Sequence, residues 1–182
     1  MTIPSDAECR HLMDHYQMPE HIRAHSLVVR QVAEFLARQL VQQGKPVCVE
    51  LVVAGALLHD IAKALCLDGD CLHAERGGEI CREHGYFELM PLVAEHVQLF
   101  RGFTDQCGER EIVYYADKRV RHDQVVSLEE RRDDLIRRYA ADDPPRQDII
   151  RQNFQICRRL ERCIFTGLPL TPAELIIRLP RF

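Results

Sequence analysis

The sequence lacks a basic excess. Lysine and arginine total 24 against 28 aspartate and glutamate, for a formal charge of −4. A duplex-binding protein shows a positive stripe, so duplex nucleic acid is set aside as a partner. No long hydrophobic run is present: the longest, Leu51 to Leu58, is far too short to span a bilayer. The opening Met1-Thr2-Ile3-Pro4-Ser5-Asp6 has neither the basic nor the apolar region of a secretory signal. The expectation is a soluble, cytoplasmic protein with no membrane partner. Eight cysteines occur, but no Cys-x-x-Cys pair and no zinc-ribbon spacing. In a reducing cytosol they are expected as buried small hydrophobes or free thiols. Repeats, low-complexity tracts and convincing strand alternation are also missing.

What is present is helical periodicity in a chain of 182 residues, long enough to bury a substantial core without disulfides. The fold class expected is all-α. Ser5-Asp6-Ala7-Glu8 is a capping box that opens a short first helix. A long helix follows Pro19, with Ile22, Val29, Val32, Ala33, Leu36 and Leu40 at helical spacing, and ends near Gly44. Pro46 starts a nearly continuous apolar helix through Leu58, expected at the centre of the fold. Further helices are expected at about 73–84, 88–99, 109–122, 128–141 and 146–165. Gly102, Thr104, Asp105 and Gly108 mark a loop, and Asp142-Asp143-Pro144-Pro145 a break. Ser127-Leu128-Glu129-Glu130 is a second capping box, and Thr171-Pro172-Ala173-Glu174 starts a last short helix. The charge run Glu129 to Asp134 reads as a solvated helix face with Asp133–Arg137 and Asp134–Arg138 pairs at i,i+4.

Chemistry concentrates at Leu57-Leu58-His59-Asp60-Ile61-Ala62-Lys63, where an apolar helix ends in two adjacent ionisable groups. Burying an unpaired carboxylate costs several kcal/mol, so Asp60 must be compensated. One solution is purely structural, an Asp60–Lys63 ion pair with His59 hydrogen-bonded in the core. The other is a metal bound by His59 and Asp60, leaving Lys63 free to meet an anionic substrate. His25 interrupts the core face set by Ile22 and Val29, His96 follows Leu92 and Val93, and Asp117 lies between Val113 and Val120. A lone inward histidine is more often a satisfied core residue than a ligand. Three helices each turning such a group inward, with a His-Asp pair besides, favour a shared divalent ion.

The order His25 … His59-Asp60 … Asp117 resembles the H…HD…D signature of HD-domain metal-dependent phosphohydrolases. The matching contexts are His25-Ser26-Leu27-Val28-Val29, Ala56 through Lys63, and Tyr115-Ala116-Asp117-Lys118-Arg119. The resemblance covers about residues 20–125, leaving 1–19 as an N-terminal helix and 126–182 as a C-terminal helical extension on a compact HD-domain bundle. It implies that His25, His59, Asp60 and Asp117 bind one metal. His73 and His96 match the extra positions of the binuclear branch, which includes small bacterial dinucleoside-tetraphosphate hydrolases. One or two divalent transition-metal ions (Fe, Mn, Co, Ni or Zn) are then implied, with Asp60 bridging and catalytic. Lys63 would stabilise charge on the phosphoryl oxygens, with Arg76, Lys118 and Arg119 as further substrate contacts. The implied activity is hydrolysis of a nucleotide or other small phosphate ester or anhydride, by a monomer or a homodimer. Ala62 stands where the commoner motif has glycine. The His-His-Glu and Gly-Tyr-Pro elements of the cyclic-di-GMP phosphodiesterase branch are absent. A nucleotide sensor or interaction module without catalysis, and a di-iron oxygenase, are the rival readings.

Overall fold

The computed structural model describes residues 2–67, 71–99, 102 and 106–179, and among these the architecture is all-helical apart from one two-stranded hairpin. In chain order the elements are α1 (Asp6–His15), α2 (Glu20–Gln42), α3 (Val49–Leu58), a 3₁₀ turn (Ala64–Cys66), α4 (His73–Glu83), α5 (Met90–Ala94) and α6 (Glu109–Lys118). The hairpin strands β1 (Val120–Arg121) and β2 (Gln124–Val125) precede α7 (Leu128–Tyr139), α8 (Pro144–Phe165) and α9 (Glu174–Arg178). Both expected capping boxes form, with Ser5 and Ser127 accepting from the backbone N–H groups of Glu8 and Glu130. Gly44 takes a positive φ of 77° just past α2, as a terminating glycine should.

The core is built where α3 packs between α2 and α6. Leu57 and Leu58 are essentially inaccessible, and each such burial stabilises by about 1.5–3 kcal/mol. That is comparable with the several kcal/mol needed to bury a carboxylate. An apolar helix can therefore carry His59 and Asp60 into the interior at its end. α6 is buried on every side, from Ile112 to Ala116, because α2 and α3 cover one flank while α7 and α8 lie on another.

Four expectations need correction. The apolar helix begins at Val49 rather than at Pro46, where Glu109 accepts the Cys48 N–H at 2.8 Å. The helix expected at 88–99 is only Met90–Ala94, because later carbonyls are claimed by distant side chains. Lys118 Nζ donates to the His96 carbonyl at 2.7 Å and Asn153 Nδ2 to that of Val97 at 3.0 Å. The helix expected at 109–122 stops at Lys118 and gives way to the hairpin. There Arg119 Nε donates to the Val126 carbonyl at 2.7 Å, and His122 turns the chain at φ 56°. Strands of two residues are too short to show alternation in sequence. Finally, Cys66 and Cys71 are joined as a disulfide, their Cα atoms 5.2 Å apart, so the thiol reading fails for that pair. They stand five apart in sequence, a spacing that is not Cys-x-x-Cys, with Cα atoms within disulfide range. Of the expected loop, Thr104 and Asp105 lie outside the described residues.

α4 is pressed onto α5 at a pair of glycines. A Cβ on Gly78 would stand 2.9 Å from the Ala94 Cβ and 3.3 Å from the Met90 carbonyl oxygen, and one on Gly77 would meet Val93 Cγ1 at 2.8 Å. The two nearest Gly78 neighbours are a methyl and backbone, neither of which can swing away. Gly78→Leu is expected to lower unfolding free energy by about 1–3 kcal/mol through overpacking. Urea denaturation reads this, and an unchanged midpoint would show that α4 and α5 do not pack this closely.

Candidate metal centre

Six side chains from separate stretches of chain converge beyond the end of α3. His25 comes from the first half of α2, His59 and Asp60 from the turn after α3, and His73 from the first residue of α4. His96 comes from the irregular segment after α5, and Asp117 from the last turn of α6. His96 was expected on a helix; it sits instead on a bend. All but His73 are buried.

Three of the imidazoles are aimed by the backbone. The Nδ1 of His25 bonds the His122 carbonyl at 2.8 Å, that of His59 the Ala56 carbonyl at 2.8 Å, and that of His96 the Val93 carbonyl at 2.7 Å. A carbonyl only accepts, so each Nδ1 carries a proton and the ring turns its Nε2 inward, where the neutral form offers a lone pair. There the lone pairs meet carboxylate oxygens. His25 Nε2 lies 3.1 Å from Asp117 Oδ1, and His59 Nε2 lies 3.5 Å from Asp60 Oδ2 and 3.8 Å from Asp117 Oδ1. His73 and His96 each place Nε2 3.4 Å from Asp60 Oδ1 and 3.2 Å from each other. Acceptor facing acceptor at these distances requires a proton or a cation between them.

Both halves of the purely structural alternative exist, since Lys63 Nζ reaches Asp60 Oδ2 at 2.7 Å and His59 is hydrogen-bonded in the core. They do not account for the whole arrangement. His59 Nε2 and Asp60 Oδ1 are buried without a hydrogen-bond partner among the described residues, a costly condition for any polar atom. These two atoms belong to two donor sets, His25–His59–Asp60 and Asp60–His73–His96, each with its ligand atoms within 4.8 Å of one another. Asp60 is common to both. Mixed imidazole and carboxylate donors suit a divalent transition metal, so the residues fit one.

The electrostatics agree with that geometry. Burial opposes ionisation of Asp60, yet His59 and Lys63 outweigh it and hold the carboxyl well below the usual range. At Asp117 burial is likewise overcome, by Lys118 and the His25 hydrogen bond. Burial pushes His96 down to about 4, so at neutral pH it keeps a free lone pair. Burial works the same way on His59, but Asp60 and Asp117 prevail and raise it.

Not every expected substrate contact lies at this cluster. Lys63 does, with about a third of its side chain exposed. Arg76 is tied on the outer face of α4 to Glu79 at 3.0 Å and Glu83 at 2.8 Å. Lys118 is buried against Asp117 Oδ2 and the His96 carbonyl. Arg119 is buried in a structural knot with Tyr115, Glu161, and the Val126 and Pro172 carbonyls. Arg131, by contrast, was passed over inside the charge run. It is 6% exposed, and Nη2 lies 3.9 Å from Asp117 Oδ1. The signal was its spacing, three residues after Leu128 and four before Leu135 on the inward side of α7. Of the two pairs expected there, Asp134–Arg138 forms at 2.7 Å, whereas Arg137 also turns to Asp134 and Asp133 pairs with Arg132.

The HD domain family model matches residues 22–121, more than half of the chain and every one of the six converging residues. The chain belongs to the HD domain family. An uncharacterized protein of Methanocaldococcus jannaschii, MJ0778, is 33% identical over 134 residues, covering 62% of this chain and 78% of its own length. No solved structure matches. The HD motif itself is His59-Asp60, and α7 to α9 follow the matched region.

His96 supplies a pH test on metal-free protein. Its folded pKa of about 4 is depressed below the ordinary histidine value. Below pH ~6.5 the unfolded chain therefore binds a proton that the folded chain refuses, and stability falls as pH drops towards 4. His96→Gln lacks this loss. Wild type should lose on the order of 3 kcal/mol relative to the variant between about pH 7 and pH 4. Denaturation at several pH values reads the difference, and a pH-independent gap would show that His96 is not held neutral.

Proposed function

We propose that this HD domain is a metal-dependent phosphohydrolase, acting on a nucleotide or another small phosphate ester or anhydride. The observation that carries the reading is the pair of donor sets meeting at Asp60, which supports two divalent ions with Asp60 as the shared ligand. His25, His59 and Asp117 would complete one site, and His73 and His96 the other. Ions held by such donors lower the pKa of water and polarise phosphoryl oxygens.

The chain's own part is positioning and charge. Carbonyl-anchored imidazoles present Nε2 without rearrangement, so the site is organised before substrate arrives. Lys63 is the cation at the edge of the cluster. Burial would favour its neutral form, but Asp60 raises its pKa, so it meets a substrate as an ammonium. With its Nζ at Asp60 Oδ2, it can hold a phosphoryl oxygen as negative charge builds there. Lys118, locked between Asp117 and a carbonyl, keeps that ligand ionised and oriented. Among the described residues no helix is long and apolar enough to cross a membrane. The Cys66–Cys71 disulfide would be exceptional in a reducing cytoplasm.

Asp60→Ala should lose bound metal and turnover together. Lys63→Met should keep its metal while the rate falls by about 10²–10³, the usual effect of removing one charge-stabilising donor. Elemental analysis of the purified variants, paired with phosphate release across Mn, Fe, Co, Ni, Zn and Mg, makes the comparison. Full metal content and full rate in the Asp60 variant would refute the scheme.

A further inference from the structure

Arg131 lies outside the family-matched region, on the first half of α7, yet its guanidinium reaches the metal centre. Nη1 is committed to Asp134 Oδ2 at 3.2 Å. Among the described residues Nε is buried with no hydrogen-bond partner, and Nη2 stops 3.9 Å from Asp117 Oδ1, beyond hydrogen-bonding reach. Nε and Nη2 form one edge of the guanidinium plane. That edge carries two parallel N–H groups, the arrangement that receives two oxygens of a phosphate or carboxylate. Asp134 also accepts from Arg137 at 2.8 Å and Arg138 at 2.7 Å, so it is buried with cations in excess. A strut built only to join Asp117 to Asp134 would close the remaining gap to Asp117. Instead, among the described residues, Nε has no hydrogen-bond partner and Nη2 keeps only its long ion pair to Asp117 beside the donor cluster.

Lys63 and Arg131 are thus two cations at the cluster, one bonded to Asp60 Oδ2 and the other beside Asp117 Oδ1.

We infer that Arg131 is a phosphoryl-binding residue, whose Nε/Nη2 edge takes two oxygens of the substrate phosphate beside Asp117, so that α7 completes a site the HD motif alone leaves open. The inference rests on the phosphohydrolase reading for the nature of its ligand. No bond is made or broken by Arg131; its part is to hold and orient the anion.

The test is calorimetric titration of inorganic phosphate into full-length, manganese-loaded protein, with metal content and thermal unfolding recorded for each sample. Arg131→Met is expected to weaken phosphate binding about 10- to 100-fold at unchanged metal content. Arg131→Lys should recover only part, since an ammonium offers no parallel fork. Wild-type phosphate affinity in the methionine variant overturns the inference. So does a fall confined to metal content or thermal stability, which marks a structural strut, and so does absence of phosphate binding by the wild type. If the methionine variant does not fold, the lysine variant decides by the same titration. Hydrolysis by wild type with phosphate affinity indifferent to Arg131 sinks this inference alone. Arg131-dependent phosphate binding without hydrolysis of any phosphate compound sinks the hydrolase reading instead.

Discussion

Two carboxylates in the interior, Asp60 and Asp117, set the terms for everything around them. Each is held ionised against burial, and neither could be so without opposite charge within a few ångströms. Lys63 and Lys118 supply one cation apiece at 2.7 Å. Their remaining oxygens face imidazole nitrogens. The fold therefore concentrates negative charge and nitrogen lone pairs in one place, an unfavourable arrangement for a core and a favourable one for a divalent ion.

Holding that arrangement falls to backbone irregularities. His25 is anchored by the carbonyl of a residue in a left-handed turn, and His96 by the last turn of a helix that stops after five residues. His59 is anchored where α3 gives out. At each place regular hydrogen bonding ends and leaves a carbonyl for a side chain. The same breaks defeat helix-length expectations, because what stops the chain comes from elsewhere in the fold. Lys118 and Asn153 take the carbonyls after α5, and Arg119 ties the hairpin to the C-terminal segment.

The helices after the matched region are joined to the centre rather than appended to it. α8 receives the buried phenols of α6, Tyr114 at Asn153 and Tyr115 at Glu161. α7 turns Arg131 and Asp134 inward. A charge run of the same composition on a freely solvated helix would place all its ions in water. Here two of them are buried by the packing of α7 along α6, which a single helix's sequence cannot encode.

The all-helical class, the two capping boxes, the central apolar helix and five of the converging residues were legible from residue identity and period, because burial obliges an inward histidine or aspartate to have a partner; His73, only half-buried, was implied by the family resemblance alone. Sequence alone also made the family resemblance visible, since its motifs are local. Tertiary structure decided the rest. It shortened two helices through side chains distant in sequence, closed Cys66 onto Cys71, and withdrew Arg76 and Arg119 into ion pairs away from the cluster. It also brought Arg131 to Asp117. Each of these depends on distances between segments far apart in the chain, and spacing within one helix carries no information about them.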